Sequence, residues 1–270
     1  MMQHARSAGA ILVPWSHRWL LWSFTRREFL DRYTGSIAGA AWALAHPLAL
    51  LAIYAFVFTA VFRVKLPEGA STVAYTSFVA VTLWPWLMFS DGLLRGMASV
   101  QGNAALIRKV AFPHRLVVFA NVLASFAVHL LGYVLVLVTL RVLGEPVVLS
   151  GLPAAAVILA ALLLVTIGIA AALAAIQVLV RDVAQLVGVL LTFLFYATPV
   201  LYPIALVPEG FRPWLLANPL THLLERLREV LIQGSGLAAG DAWMMLVALA
   251  VFAAGLWVFE RLSPFFEDFL

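Results

Sequence analysis

Residues 152–180 form a 29-residue run without a single charged side chain, and five further apolar stretches of similar character accompany it. Few structures accommodate such runs. In a hydrocarbon layer every backbone N–H and C=O must find its partner inside the protein, and about 20 helical residues cross the layer. The spacing therefore predicts six transmembrane helices, at 37–62, 73–94, 116–140, 152–180, 183–201 and 242–259. The first and fourth exceed the minimum length, so tilt or a bend is expected, with Pro47 marking the bend in the first. Arg181 and Asp182 separate the fourth and fifth spans and read as a tight turn at the membrane surface, because two charges in mid-bilayer are costly.

Composition agrees. Hydrophobic residues make up 64% of the chain, charged residues 11%, and mean hydropathy is +1.02. A soluble domain of this composition lacks the polar residues to cover its surface. The fold class is all-α: a polytopic membrane protein. The chain has no cysteine, which excludes disulfide and thiol chemistry. Its net charge of +4 is too scattered to indicate nucleic acid. No cleavable signal peptide is expected, because the apolar run at 10–15 is short and contains Pro14.

Lysines and arginines orient the spans. With the N-terminus inside, eleven fall on the cytoplasmic side and six on the outer side, which favours both termini in the cytoplasm. Asn103 to Arg115, NAALIRKVAFPHR, is then a basic elbow at the inner surface. In a chain without a nucleotide-hydrolysing motif, such an elbow suggests a docking site for a separate motor. Residues 15–33 precede the first span as an interfacial amphipathic helix. Trp15, Trp19, Trp22, Phe29 and Tyr33 recur at helical spacing among Arg18, Arg26, Arg27 and Arg32. Between the fifth and sixth spans, residues 203–234 carry four prolines yet stay apolar. Asn218-Pro219 reads as a helix start. Leu220, Leu223, Leu224, Leu227 and Leu231 form its stripe, Gly234 its stop, and Glu225, Arg226, Arg228 and Glu229 its remaining surface. This segment is expected to be a broken, re-entrant helix pair on the outer side, either a gate or a plain surface loop.

Several chemistries are missing. The loop G-x-x-x-x-G-K-[S/T] is absent, so the chain does not hydrolyse ATP by that route. No H-E-x-x-H and no cluster of histidines and carboxylates at metal-ligand spacing occurs, so no catalytic residue and no metal are expected. Asp91 and Asp182 are placed near cytoplasmic span ends, which leaves no titrating carboxylate for proton coupling. His46 and His129 fall within spans, as relay groups or as neutral hydrogen-bonded side chains. Trp84, Pro85 and Trp86 fall mid-span, where both indoles reach one pathway only if the proline distorts the helix. Phe193 and Tyr196 share a helix face. Gly168, Ala171, Ala172 and Ala175 give the fourth span a small-residue side that permits close helix contact.

Four segments carry a resemblance. They are REFLDRYTGS at 27–36 with Trp42 and His46-Pro47, WPWLMF at 84–89, LIRKVAFP at 106–113, and TPVLYP at 198–203 followed by Asn218-Pro-Leu220 and Arg228. In this order and spacing the chain, from about Trp22 onward, resembles the membrane subunits of ABC-2-type polysaccharide exporters, the O-antigen export permeases. The resemblance implies a single transmembrane domain over 1–270 that works as a homodimer with two copies of a separate ATPase in the cell inner membrane. ATP and Mg would belong to that partner; this chain would bind no cofactor. Asn103, Leu106, Ile107, Arg108, Lys109, Phe112 and Pro113 would form the coupling helix, 103–112 with its proline stop. Arg27, Phe29, Arg32 and Tyr33 would belong to the interfacial helix. Trp84, Trp86, Phe89, Phe193, Tyr196 and Tyr202 would line a path for a lipid-linked glycan, since aromatic rings suit the C–H faces of sugars. Asn218, Pro219, Glu225 and Arg228 would shape the outer gate. Related members export teichoic acids, capsule, small lipids or drugs, and those cargoes stay open. So does a membrane enzyme acting on polyprenyl-linked sugars, which would need a carboxylate or histidine pair at the headgroup plane.

Overall fold

The computed structural model describes residues 17–32, 39–61, 72–145 and 147–270, and the described residues are almost entirely helical. Helix α1, Arg18–Asp31, comes first. Helix α2, Gly39–Phe56, runs on into a π-helical turn, Val57–Val61. Then come α3 (Thr72–Gly102), a single turn α4 (Ala104–Ile107) and α5 (Arg115–Val142). They are followed by α6 (Leu152–Leu179) and α7 (Val183–Tyr196). Short α8 (Arg212–Leu216) leads to α9 (Pro219–Ile232), and α10 (Ala239–Leu262) and a final turn α11 (Phe266–Phe269) complete the order.

Among the described residues, four helices are long and apolar enough to cross a membrane: α3, α5, α6 and α10. Helix α2 coincides with the expected first span, and the side chains of His46 and Pro47 lie outside what the structure describes. The expected fifth span is shorter than its apolar run. Helix α7 has 14 residues, about 21 Å at 1.5 Å per residue. It stops at Tyr196 because Pro199 disfavours helical geometry at Thr198. Helix α3 runs the other way, eight residues past the expected end at 94. Its 31 residues extend about 46 Å and the 28 of α5 about 42 Å, so both overshoot a roughly 30 Å hydrocarbon core by about 12–16 Å. The turn expected at Arg181 and Asp182 is present between α6 and α7.

Helix α3 is the hub, with Tyr75, Val79, Leu83, Trp84, Met88 and Leu93 in the core. Pro85 lies inside it and cannot donate to the carbonyl of Val81, four residues back. The Tyr133 hydroxyl of α5 donates to that carbonyl at 2.8 Å, so the proline leaves no orphan acceptor there. The small-residue side of α6 packs as expected. A Cβ at Gly255 of α10 would lie 1.9 Å from the Gly168 carbonyl oxygen, and one at Gly168 would lie 2.6 Å from the Phe252 Cα. Only glycine permits that approach of two backbones.

Candidate functional site

The molecule carries polar machinery at both ends of the bundle. At one end, α3 passes into the elbow. The helix there is a single turn, Ala104–Ile107, followed by a turn through Lys109, rather than a helix over the whole of 103–112. Pro113 biases Phe112 away from helical geometry, which keeps the elbow from running on into α5 as one helix. Ile107 is buried and anchors the turn, while Leu106 is half-buried. Arg108, Lys109 and Val110 are exposed at the tip.

The base of the elbow is tied on several sides. Asn103 Nδ2 donates to the Ser99 carbonyl at 2.9 Å, and Arg27 Nη2 donates to Asn103 Oδ1 at 2.9 Å. The Phe24 and Phe112 rings meet edge-on at 5.6 Å. Phe112 meets His114, His114 stacks on Phe266, and Phe266 meets Phe259 at 5.4 Å. Gln101 Nε2 donates to the Gln177 carbonyl of α6 at 2.8 Å, and Arg115 pairs with Glu260 of α10 at 2.7 Å. The basic tip therefore stands on a base built from α1, α3, α5, α6, α10 and α11.

Helix α1 lies along α5 with Leu21 and Phe24 turned inward. Trp19 and Trp22 are 77% and 65% exposed on the opposite side, so the aromatics of α1 divide between two faces. Arg27 also sits 5.7 Å over the Phe24 ring. Phe29 is half-buried; Tyr33 and Trp15 lie outside the described residues.

At the other end, the chain between α7 and α9 is irregular, and its carbonyls are claimed by neighbouring side chains. Tyr75 donates to the Leu201 carbonyl at 2.7 Å, and Thr82 Oγ1 donates to Val200 at 3.1 Å. Arg228 Nη2 donates to the same Val200 carbonyl at 2.7 Å and to Thr82 Oγ1 at 2.9 Å. Its Nε reaches the Phe78 carbonyl at 3.2 Å, its Nη1 reaches Glu225 at 2.5 Å, and its guanidinium lies 3.6 Å over the Phe78 ring. The ion pair with Glu225 compensates the charge of the buried guanidinium.

This corrects the expectation that Arg228 belongs to the exposed side of α9: it is 4% exposed. Residues 224, 228 and 231 share one helix face, so the cation sits inside the leucine stripe rather than beside it. The cap at Asn218 is as expected, with Oδ1 accepting from the Leu220 N–H at 3.0 Å and Pro219 beginning the helix. Asn218 Nδ2 also donates to Thr198 Oγ1 at 2.9 Å, which joins the helix start to the irregular stretch of chain. Gly234 lies just past α9 with φ +74°, the left-handed stop that glycine favours. Arg226 faces α10, where it bonds both oxygens of Asp241, and also pairs with Glu229.

The aromatic residues expected together on one path separate. Trp86, Phe195 and Tyr196 border a groove of about 370 Å³ between α2, α3 and α7. Trp86 lies 5.5 Å from Phe195, a residue the sequence reading missed although it lies one residue short of Tyr196. Phe89 is buried against Trp86 at 5.7 Å. Trp84 is fully buried in the core and does not border the groove. Phe193 is exposed on the outer face of α7, and the Tyr202 hydroxyl donates to the Tyr196 carbonyl at 2.5 Å.

A family model described as ABC-2 type transporter matches residues 20–232, which takes in α1, the elbow and the whole irregular segment through α9. The chain belongs to the ABC-2 type transporter family. This ABC-2 protein is 28% identical over 251 residues to an O-antigen export system permease protein RfbA of Klebsiella pneumoniae, covering 93% of the chain and 95% of the relative. It is 31% identical to an O-antigen export system permease protein RfbA of Myxococcus xanthus, over 88% and 89% of the two chains. A polysialic acid transport protein KpsM of Escherichia coli is 21% identical over 77% of the chain and 79% of the relative. The ABC-2 membership and the apolar helices make this an integral membrane protein.

Proposed function

We propose that the chain is the membrane subunit of an ATP-driven exporter that moves a lipid-linked polysaccharide of O-antigen type across the cell inner membrane. The observation that carries this reading is its similarity, along nearly its whole length, to permeases named for O-antigen export. ATP is hydrolysed by a separate ATPase, two copies of which serve a homodimer of this chain. Six crossings are reached when α2 and the α7 region are added to the four long helices, with both termini in the cytoplasm. The elbow then lies on the cytoplasmic side and α9 on the outer side.

In this orientation the parts of α3 and α5 that overshoot the hydrocarbon form a stalk with the basic tip at its end. Arg108 and Lys109 are the exposed cations there. They complement acidic groups on the ATPase, while Ile107 and Phe112 fix the tip to the stalk. Movement of the ATPase is delivered to the spans through this contact. The groove beside Trp86, Phe195 and Tyr196 offers aromatic surface to sugar rings, and α9, held by Arg228, forms part of the outer gate. Irregular backbone between α7 and α9 is tolerated at membrane depth because protein groups satisfy its carbonyls.

The test is the double charge reversal Arg108→Glu with Lys109→Glu, co-expressed with the partner ATPase. Membrane insertion is expected to be normal, while export of polysaccharide and co-purification of the ATPase are both lost. Export at the wild-type level would remove the docking assignment. Trapping the cargo in a complex stalled with a hydrolysis-deficient ATPase identifies the glycan directly; a small lipid or drug in its place would overturn the substrate class.

A further inference from the structure

Asp91 is a charged residue that the proposed export mechanism leaves without a role. The sequence reading set it at a span end, yet α3 continues eleven residues beyond it, about 16 Å. Four side chains from three elements converge on its carboxylate. Arg95, one turn further along α3, donates from Nε at 2.7 Å. Arg32, one residue past the end of α1, reaches it at 3.5 Å. From α5, the Ser125 hydroxyl donates to Oδ2 and the His129 Nε2 lies 3.4 Å away. The side chains of Arg32 and His129 are 11% and 13% exposed, and the other ring nitrogen of His129 is buried without a hydrogen-bond partner.

We infer that Asp91 is a positioning residue of the coupling apparatus: it fastens the far end of the interfacial helix to the two helices that carry the elbow. The middle of α1 is already held, because Arg27 bonds Asn103 and Phe24 packs on Phe112. With the second fastening at Arg32, α1 braces the stalk at two levels, like the diagonal of a frame. A load on the tip then displaces α1, α3 and α5 as one body. With the second fastening gone, the same load rotates the elbow against α1, and the displacement dissipates below the membrane. A carboxylate at this level is costly unless paired, so the four partners keep it in place, and they gain order from it in return.

The inference rests on the elbow being the docking site, so the experiment separates the two. The cysteine-free chain permits paired spin labels at Arg26→Cys on α1 and Ala98→Cys on α3, both exposed positions. Labelled protein is purified with its ATPase and reconstituted in lipid. Asp91→Asn and Arg32→Gln are expected to keep the ATPase bound and its ATP hydrolysis within about twofold, while export falls roughly tenfold and the label-to-label distance distribution broadens. Arg32→Lys, which keeps the charge, is expected to restore export to at least about half. Two results would overturn the inference: export unchanged in Asp91→Asn or Arg32→Gln, or export lost with the distance distribution unaltered. If Asp91→Asn does not accumulate in the membrane, Arg32→Gln decides alone, since Arg32 lies outside the spans. Loss of ATPase binding in the Arg108 and Lys109 reversals, together with unchanged export in both of these variants, would sink this inference and leave the docking site standing.

Discussion

Replacing Arg228 is the sharpest perturbation available at the outer end. Its guanidinium makes charge-assisted bonds to the Phe78 and Val200 carbonyls, a bond to Thr82 and an ion pair with Glu225. Both carbonyls keep a second donor: the Thr82 hydroxyl reaches Val200 at 3.1 Å, and Phe78 lies inside α3, where its carbonyl accepts the helical N–H of Thr82. Their loss is therefore at the low end for charged bonds, about 1.5 kcal/mol each, with roughly 1 kcal/mol for Thr82. Glu225 is 30% exposed, so water screens the carboxylate left behind and the pair adds only about 0.5–1 kcal/mol. Arg228→Met should then cost about 4.5–5 kcal/mol, large enough to detach α9 from α3. Glu225→Gln alone should cost about 1 kcal/mol or less. The double variant should be less destabilised than the sum of the two, because the glutamine leaves no unpaired carboxylate. Denaturant or thermal unfolding in detergent, with a protease nick at the buried residues 198–201 as a local reporter, reads the four corners of the cycle. An Arg228→Met protein as stable as wild type, with 198–201 equally protected, would refute the account of how α9 is held.

Two further substitutions test the packing. Tyr133→Phe removes only the hydroxyl that serves the Val81 carbonyl opposite Pro85 and should lower stability by about 1–2 kcal/mol, seen as a reduced thermal midpoint. In the variant that also carries Pro85→Ala, which restores the helical N–H, the cost of losing the hydroxyl should shrink. Gly255→Val places side-chain atoms in the Gly168 backbone and should prevent accumulation in the membrane, whereas Gly188→Ala, with nothing within 4 Å, should accumulate normally on an immunoblot of membrane fractions.

Helix positions were legible where the apolar runs ended at a strong signal. Asn218-Pro219 and Gly234 bounded α9, and Arg181-Asp182 gave the turn before α7. Ends were misread where hydropathy and helicity part company. Residues 95–102 are too polar to stand out as an apolar run yet remain helical as part of α3, whereas 197–201 are apolar and break at Pro199. Arg228 was assigned to the surface by its chemistry, although its register with Leu224 and Leu231 placed it inside. The meeting of Asp91 with Arg32, and of Tyr133 with Val81, joins residues 52 or more positions apart, and no local pattern in one sequence encodes such pairings.

The glycine crossing of α6 and α10 limits how the molecule can change shape. Two backbones in direct touch at Gly168 and Gly255 have no side-chain layer between them to slide, so these helices behave as a welded pair. Helix α7 is the opposite case, turning Leu186, Val189, Leu190, Phe193 and Tyr196 outward on a single unwelded face. A widening between α6 and α10 would have to break this backbone contact, whereas the exposed face of α7 carries none to break.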